Sequence, residues 1–159
     1  MGAGSWSAYW YNGYIVSSEI ARGLDVFELQ PSGLLSQNEI DAAKLVHVDY
    51  LNAQDQQKLV WPPSFVVARA YLDQLARSNG LPPARVAAVR SELARAEKLS
   101  GQARRDALTQ LATQLNGDAP RGGTEPVVVV NGVPTGGGNG SDQVRALAAT
   151  VTDLANGTH

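Results

Sequence analysis

The sequence predicts an α+β protein in which short antiparallel strands come first and a small helical bundle follows. Three observations carry that expectation. The opening alternates, is rich in aromatic residues and contains Asn12-Gly13. Apolar residues recur at helical spacing from Ser64 onward. Asn79-Gly80, Pro82-Pro83 and Ser100-Gly101 punctuate the helical runs.

In the first thirty residues Trp6, Ala8 and Trp10 alternate with Ser7, Tyr9 and Tyr11, the period of two that a strand imposes. Asn12-Gly13 is a strong hairpin signal, because the tight turn needs positive φ at both central residues, and it places a return strand at Tyr14 to Ser17. A third strand is expected at Leu24 to Leu29, between the turn at Gly23 and the stop at Pro31-Ser32-Gly33. Three short strands leave Trp6, Trp10 and Phe27 in need of cover, since small open sheets are marginal alone. Two sources of cover are open: strands missing upstream, or the helices that follow.

Ser36 and Glu39 have capping-box spacing, and Ile40, Ala43, Leu45 and Val48 extend a helix from about Gln37 to Val48. Trp61-Pro62-Pro63 stops any helix, because a residue before proline is pushed out of the α region. From Ser64, Phe65, Ala68, Leu72 and Leu75 form one stripe that ends at Asn79-Gly80. Pro82-Pro83 opens a second helix with Val86, Val89, Leu93 and Ala96 as its apolar face, and Leu108, Leu111 and Leu115 mark a third that ends at Asn116-Gly117. The glycine- and proline-rich stretch that follows reads as a linker, interrupted by a short strand or extended contact at Val127 to Val130. Ser141 is expected to cap a final helix, carrying Val144, Leu147, Ala148, Val151 and Leu154, that docks on the bundle and ends at Asn156-Gly157. The expected organisation is therefore terminal strands at 1–33, a capped helix and connector at 34–63, a three-helix bundle at 64–117, a linker at 118–140 and a C-terminal helix at 141–159.

Composition narrows the function classes. The 159 residues are 43% hydrophobic and 18% charged, which is globular, and the absence of cysteine excludes disulfides, thiolate metal sites and cysteine nucleophiles. No apolar stretch reaches the length of a membrane span, and Met1-Gly-Ala-Gly-Ser-Trp6 has neither the basic nor the apolar region of a signal peptide. The net charge of −2 hides a division: residues 1–63 sum to −4, 64–121 to +4 and 122–159 to −2. The arginines are interleaved with acids along the helices, and only Arg22 accompanies the aromatic strands, so no nucleic-acid partner is expected.

Trp6, Trp10 and Phe27 are the candidate protein-contact residues, because large rings dominate interface energies. Two alternatives stay open. Trp6, Tyr9, Trp10, Tyr11 and Tyr14 suit a carbohydrate surface if several rings are exposed and coplanar. His47, beside Asp41, Lys44 and Asp49, suits acid–base work in an enzyme or auxiliary subunit if it lines a pocket within hydrogen-bonding reach of Asp41 or Asp49. Glu19 and Asp25 read as solvated or capping carboxylates. Gly136 to Ser141 precedes a helix but lacks the P-loop lysine, and Ser141 stands in place of the third glycine of a dinucleotide fingerprint, so it reads as linker. No cofactor and no metal site are expected.

The run from Trp6 to Leu29, with its aromatic hairpin and the stretch Ile20-Ala-Arg-Gly-Leu-Asp-Val26, resembles the closing segment of bacterial LVIVD-repeat proteins, a β-propeller family of the cell surface or secreted. The resemblance covers residues 5–30. It implies that these strands belong to a last blade, that earlier blades come from residues this chain lacks, and that no catalytic residue is carried over. From Phe65 onward the spacing of Leu75, Gly80, Val86, Leu93, Ala96, Leu108 and Leu111 is similar to that of FIMAH helical modules of extracellular bacterial proteins. The chain departs from the propeller pattern in showing at most three strands where a blade has four. The expectation is a non-enzymatic interaction or structural module at the cell surface or outside the cell. Its partner would be β-propeller blades in the same polypeptide or another, with self-association through exposed strands.

Overall fold

The computed structural model describes residues 4–52, 54, 59–119, 129–130, 133–134 and 140–157. Its first part is an antiparallel sheet of β1 (Ser5–Tyr11), β2 (Tyr14–Glu19) and β3 (Gly23–Glu28), with β2 in the middle. Asn12 and Gly13 turn the first hairpin with φ of 46° and 97°, the positive values that a two-residue turn matched to strand twist requires. The second turn is held by the Glu19 carboxylate, which accepts the backbone N–H of Gly4, Ala21 and Arg22. Ser7 pairs with Ser18 but Ser5 pairs with Glu19, so β1 carries an irregularity between Ser5 and Ser7.

Four helices share one core: α2 (Phe65–Arg77), α3 (Pro83–Glu97), α4 (Gly101–Asp118) and α5 (Gly140–Asn156). Each begins for a local reason where one is visible. The Ser64 hydroxyl accepts the Val67 N–H at the start of α2, and Pro83 opens α3 where its missing N–H costs nothing. Asn79, at φ 55°, and Gly80, whose N–H returns to the Leu75 carbonyl, end the α2 turn. The Arg104 guanidinium donates to the carbonyls of Glu97 and Leu99 at the end of α3 and lies 5.8 Å from the centre of the Phe65 ring, joining three helices. Leu72, Leu75, Val89, Leu93, Leu108, Leu111, Leu115, Val144, Leu147 and Val151 are the large side chains at the centre, and among the described residues none before Phe65 contributes.

Three expectations are corrected. The short helix α1 runs Gln37–Ala43 and does not reach Val48, because the Asn12 side chain takes both backbone hydrogen-bonding groups of Val48 and holds that segment out of the helix. Helix α4 passes through Asn116-Gly117 to Asp118, where Arg85 grips the Asp118 carboxylate at 2.6 Å and the Gln114 amide oxygen at 3.3 Å. Ser141 is not the cap of α5 but lies within its first turn, 3% exposed, with no hydrogen-bond partner for its hydroxyl. Ser141 is held inward where Gly140 is pressed against Gly80, so closely that a Cβ on Gly140 would stand 2.8 Å from the Gly80 Cα. Within the stretch read as a linker, β4 (Val129–Val130) pairs antiparallel with β5 (Val133–Pro134). Val127, Val128 and Gly136 to Asn139 lie outside the described residues.

Helix α1 packs on α2 through Ala42, Val67 and Ala70, backed by Trp61, Val66 and Tyr71. A polar clamp reinforces that contact. Ser36 and Glu39 form the full capping box, Arg77 donates twice to Glu39 at 2.6 and 2.9 Å, and Asp73 accepts from Asn38 and Arg90 at 2.7 Å each. Burial raises both carboxyls, but for Glu39 the hydrogen bonds of Arg77 and Ser36 prevail, and for Asp73 those of Asn38 and Arg90, so both end below their usual 4.5 and 3.8. A carboxyl with a lowered folded value stabilises the fold above its usual value and loses that contribution as pH falls through the folded one. The urea midpoint is therefore expected to drop between pH 5 and pH 3, and Glu39→Gln to flatten part of the drop. Equal midpoint losses in wild type and variant would count against the clamp.

Candidate interaction surface

The register of the sheet sorts its side chains into rows. Trp10, Ile15 and Phe27 lie abreast on one face, beside the row Ala8, Ser17 and Asp25. The opposite face carries the rows Tyr9, Val16, Val26 and Tyr11, Tyr14, Glu28, then Ser7, Ser18, Leu24. An antiparallel sheet with one wet face alternates apolar with polar residues, whereas this sheet places an apolar row on both faces. Among the described elements no helix packs against either face, so cover by the chain's own helices is not realised. Trp6 is 78% exposed, Leu24 61%, Val26 59% and Phe27 51%.

The sheet touches the helical part at its hairpin end. The Asn12 amide donates to the Val48 carbonyl at 3.0 Å and accepts the Val48 N–H at 2.9 Å, the Tyr11 hydroxyl reaches the Asp49 carbonyl, and Lys44 pairs with Glu28 at 2.9 Å. Gly13 lies close against the aliphatic stem of Lys44. Within the sheet, hydroxyl contacts join Ser5 to Ser17 and Ser7 to Ser18.

Of the three protein-contact candidates, the fold brings Trp10 and Phe27 into one row with Ile15 between them. Trp6 stands at the irregular end of β1, outside the paired register. Reasoning from the rings missed Ile15, Val16, Leu24 and Val26. The signal was present, because Ile15-Val16 and Val26-Phe27 put apolar residues at successive positions, the mark of a strand with two faces to bury.

The five rings considered for a sugar surface do not share one platform, since Tyr9, Tyr11 and Tyr14 are on the face opposite Trp10. His47 is exposed in the segment after α1 and makes no hydrogen bond with Asp41 or Asp49. Asp41 accepts instead from Gln37. Glu19 and Asp25 act as turn anchors. The Arg22 N–H is the main cause holding Glu19 below the usual carboxylate value, and the Arg22 side chain, bonded at 2.7 Å, does the same for Asp25. Among the described residues no three His, Cys, Asp or Glu side chains gather as metal ligands, and no helix is long and apolar enough to cross a membrane. Compared with known proteins, the chain matches no family model, no curated protein and no solved structure.

Proposed function

We propose that the chain is a non-enzymatic interaction module whose sheet packs as a blade against β-propeller blades, in the same polypeptide or another, while the helical bundle serves as spacer. The observation that carries this reading is the apolar row on each face of an uncovered sheet. A sheet at the surface of a finished domain needs one such face, and a blade stacked between neighbours needs two. Trp10, Ile15 and Phe27 form the contact on one side, and Tyr9, Val16 and Val26 on the other. Trp6, exposed at the irregular end of β1, adds a further contact. A cell-surface or secreted location follows from the LVIVD-repeat resemblance of residues 5–30.

The test is calorimetric titration of the chain into a purified LVIVD-repeat propeller that lacks its last blade. Binding is expected, and Phe27→Asp should weaken it about tenfold or more, as removal of a buried aromatic anchor does. Phe27 is 51% exposed in the free chain, so circular dichroism of the variant should match wild type. A folded wild-type chain that fails to bind, or a Phe27→Asp variant that binds equally, sinks the proposal.

A further inference from the structure

The two outer strands of the sheet differ in a way that the rows alone do not explain. β3 carries Asp25 and Glu28, and charges on an outer strand are a common device for keeping other strands away. β1, Ser-Trp-Ser-Ala-Tyr-Trp-Tyr, carries no charge and no proline along its whole length. Its one protective feature is the irregularity between Ser5 and Ser7, which leaves the stretch Ser7–Tyr11 in regular register with β2. Among the described residues no strand lies beside the outer backbone groups of that stretch, because β2 occupies the other side.

We infer that β1 is a strand-addition edge at which a second copy of this chain pairs, β1 against β1 in antiparallel fashion and centred on Tyr9. This rests on the reading of the sheet as an interaction surface and names a partner for its edge rather than its faces. The regular stretch of β1 has Tyr9 at its middle. A two-fold axis there sets Tyr9 opposite Tyr9, Ala8 opposite Trp10 and Ser7 opposite Tyr11. Each pair is uncharged, the central one is aromatic on aromatic, which favours cross-strand pairing, and the other two set a small residue against a large one. A charged edge such as β3 paired with itself would bring acidic groups together. The low net charge of −2 adds little repulsion between copies. The product is a continuous six-stranded sheet in which the row Tyr9, Val16, Val26 runs across both copies, while the row Trp10, Ile15, Phe27 of each copy meets the row Ala8, Ser17, Asp25 of the other.

One short pair of strands buries less than a standard interface, so the dimer is weak, with a dissociation constant of about 100 µM. Sedimentation of the full chain should show a monomer at low concentration and a dimer approaching 1 mM, on the order of tenfold above that constant. Tyr9→Lys places like charges directly opposite and should raise the dissociation constant about tenfold or more. Val26→Lys, on the same face but on β3, should leave the dimer intact. If Tyr9→Lys compromises the sheet, Tyr9→Cys gives a second readout in a chain that has no cysteine. Opposed positions in a strand pair lie within disulfide reach, so mild oxidation should join two Tyr9→Cys chains and should leave Val26→Cys chains separate. A chain that stays monomeric, with no crosslink from Tyr9→Cys, overturns the inference but leaves propeller binding to its own titration. Loss of the dimer on Val26→Lys overturns it too, in favour of face-to-face stacking.

Discussion

Leu147→Ala should lower the free energy of unfolding by about 3 kcal/mol, the middle of the range for emptying a well-packed leucine site. Leu147 is fully buried near the middle of α5, in the core that also contains Leu72 and Leu75 of α2 and Leu108, Leu111 and Leu115 of α4. Truncation removes its transfer free energy and leaves a cavity between helices tied to one another elsewhere, so the surroundings close only in part. The size of the loss also tests the placement of α5, which the chain reaches only after a long stretch rich in glycine and proline. A shallow urea shift, of less than about 1 kcal/mol, would mean that α5 is not built into the core.

Gly140→Ala and Gly117→Ala should change stability in opposite directions. Both glycines are helical and alanine is the better helix former by about 1 kcal/mol, so propensity alone favours both substitutions. At Gly117 a Cβ meets nothing within 4 Å, and the substitution should stabilise by up to about 1 kcal/mol. At Gly140 the Cβ would lie 2.8 Å from the Cα of Gly80 and 3.3 Å from its carbonyl oxygen. Backbone cannot rotate away as a side chain can, so the α2–α3 loop or the start of α5 must move. Overpacking of this kind costs about 2 kcal/mol, more than the helical gain returns. Thermal melts of the two variants side by side give the sign directly, and a stabilised Gly140→Ala would show that the close approach of the two glycines is not a constraint.

What the sequence reveals and conceals follows the range of the determining contacts. The hairpin at Asn12-Gly13, the capping box of Ser36 and Glu39, and the starts of α2 and α3 are decided within a few residues, and each is legible from those residues. The end of α1 is not, because its determinant, Asn12, lies thirty-six positions from Val48. The burial of Ser141 is concealed for the same reason, since it depends on Gly80 meeting the start of α5. The candidate surface is an intermediate case. Alternation shows which residues share a face, but whether a face is covered depends on what packs against it, and helices α2 to α5 form a core of their own.

The joint at Asn12 has a consequence for how the chain can vary. Asn12 holds Val48 only through main-chain N–H and C=O groups, and Tyr11 likewise meets the main-chain carbonyl of Asp49. Such a grip does not read side chains. The segment it seizes is free to exchange nearly any residue that can keep the same main-chain path, while a change at Asn12 releases both bonds together. The main-chain part of this seating is thus written on the strand side of the joint, and a different helical tail could be accepted without redesigning the sheet so long as it keeps a partner for Glu28 where Lys44 now stands.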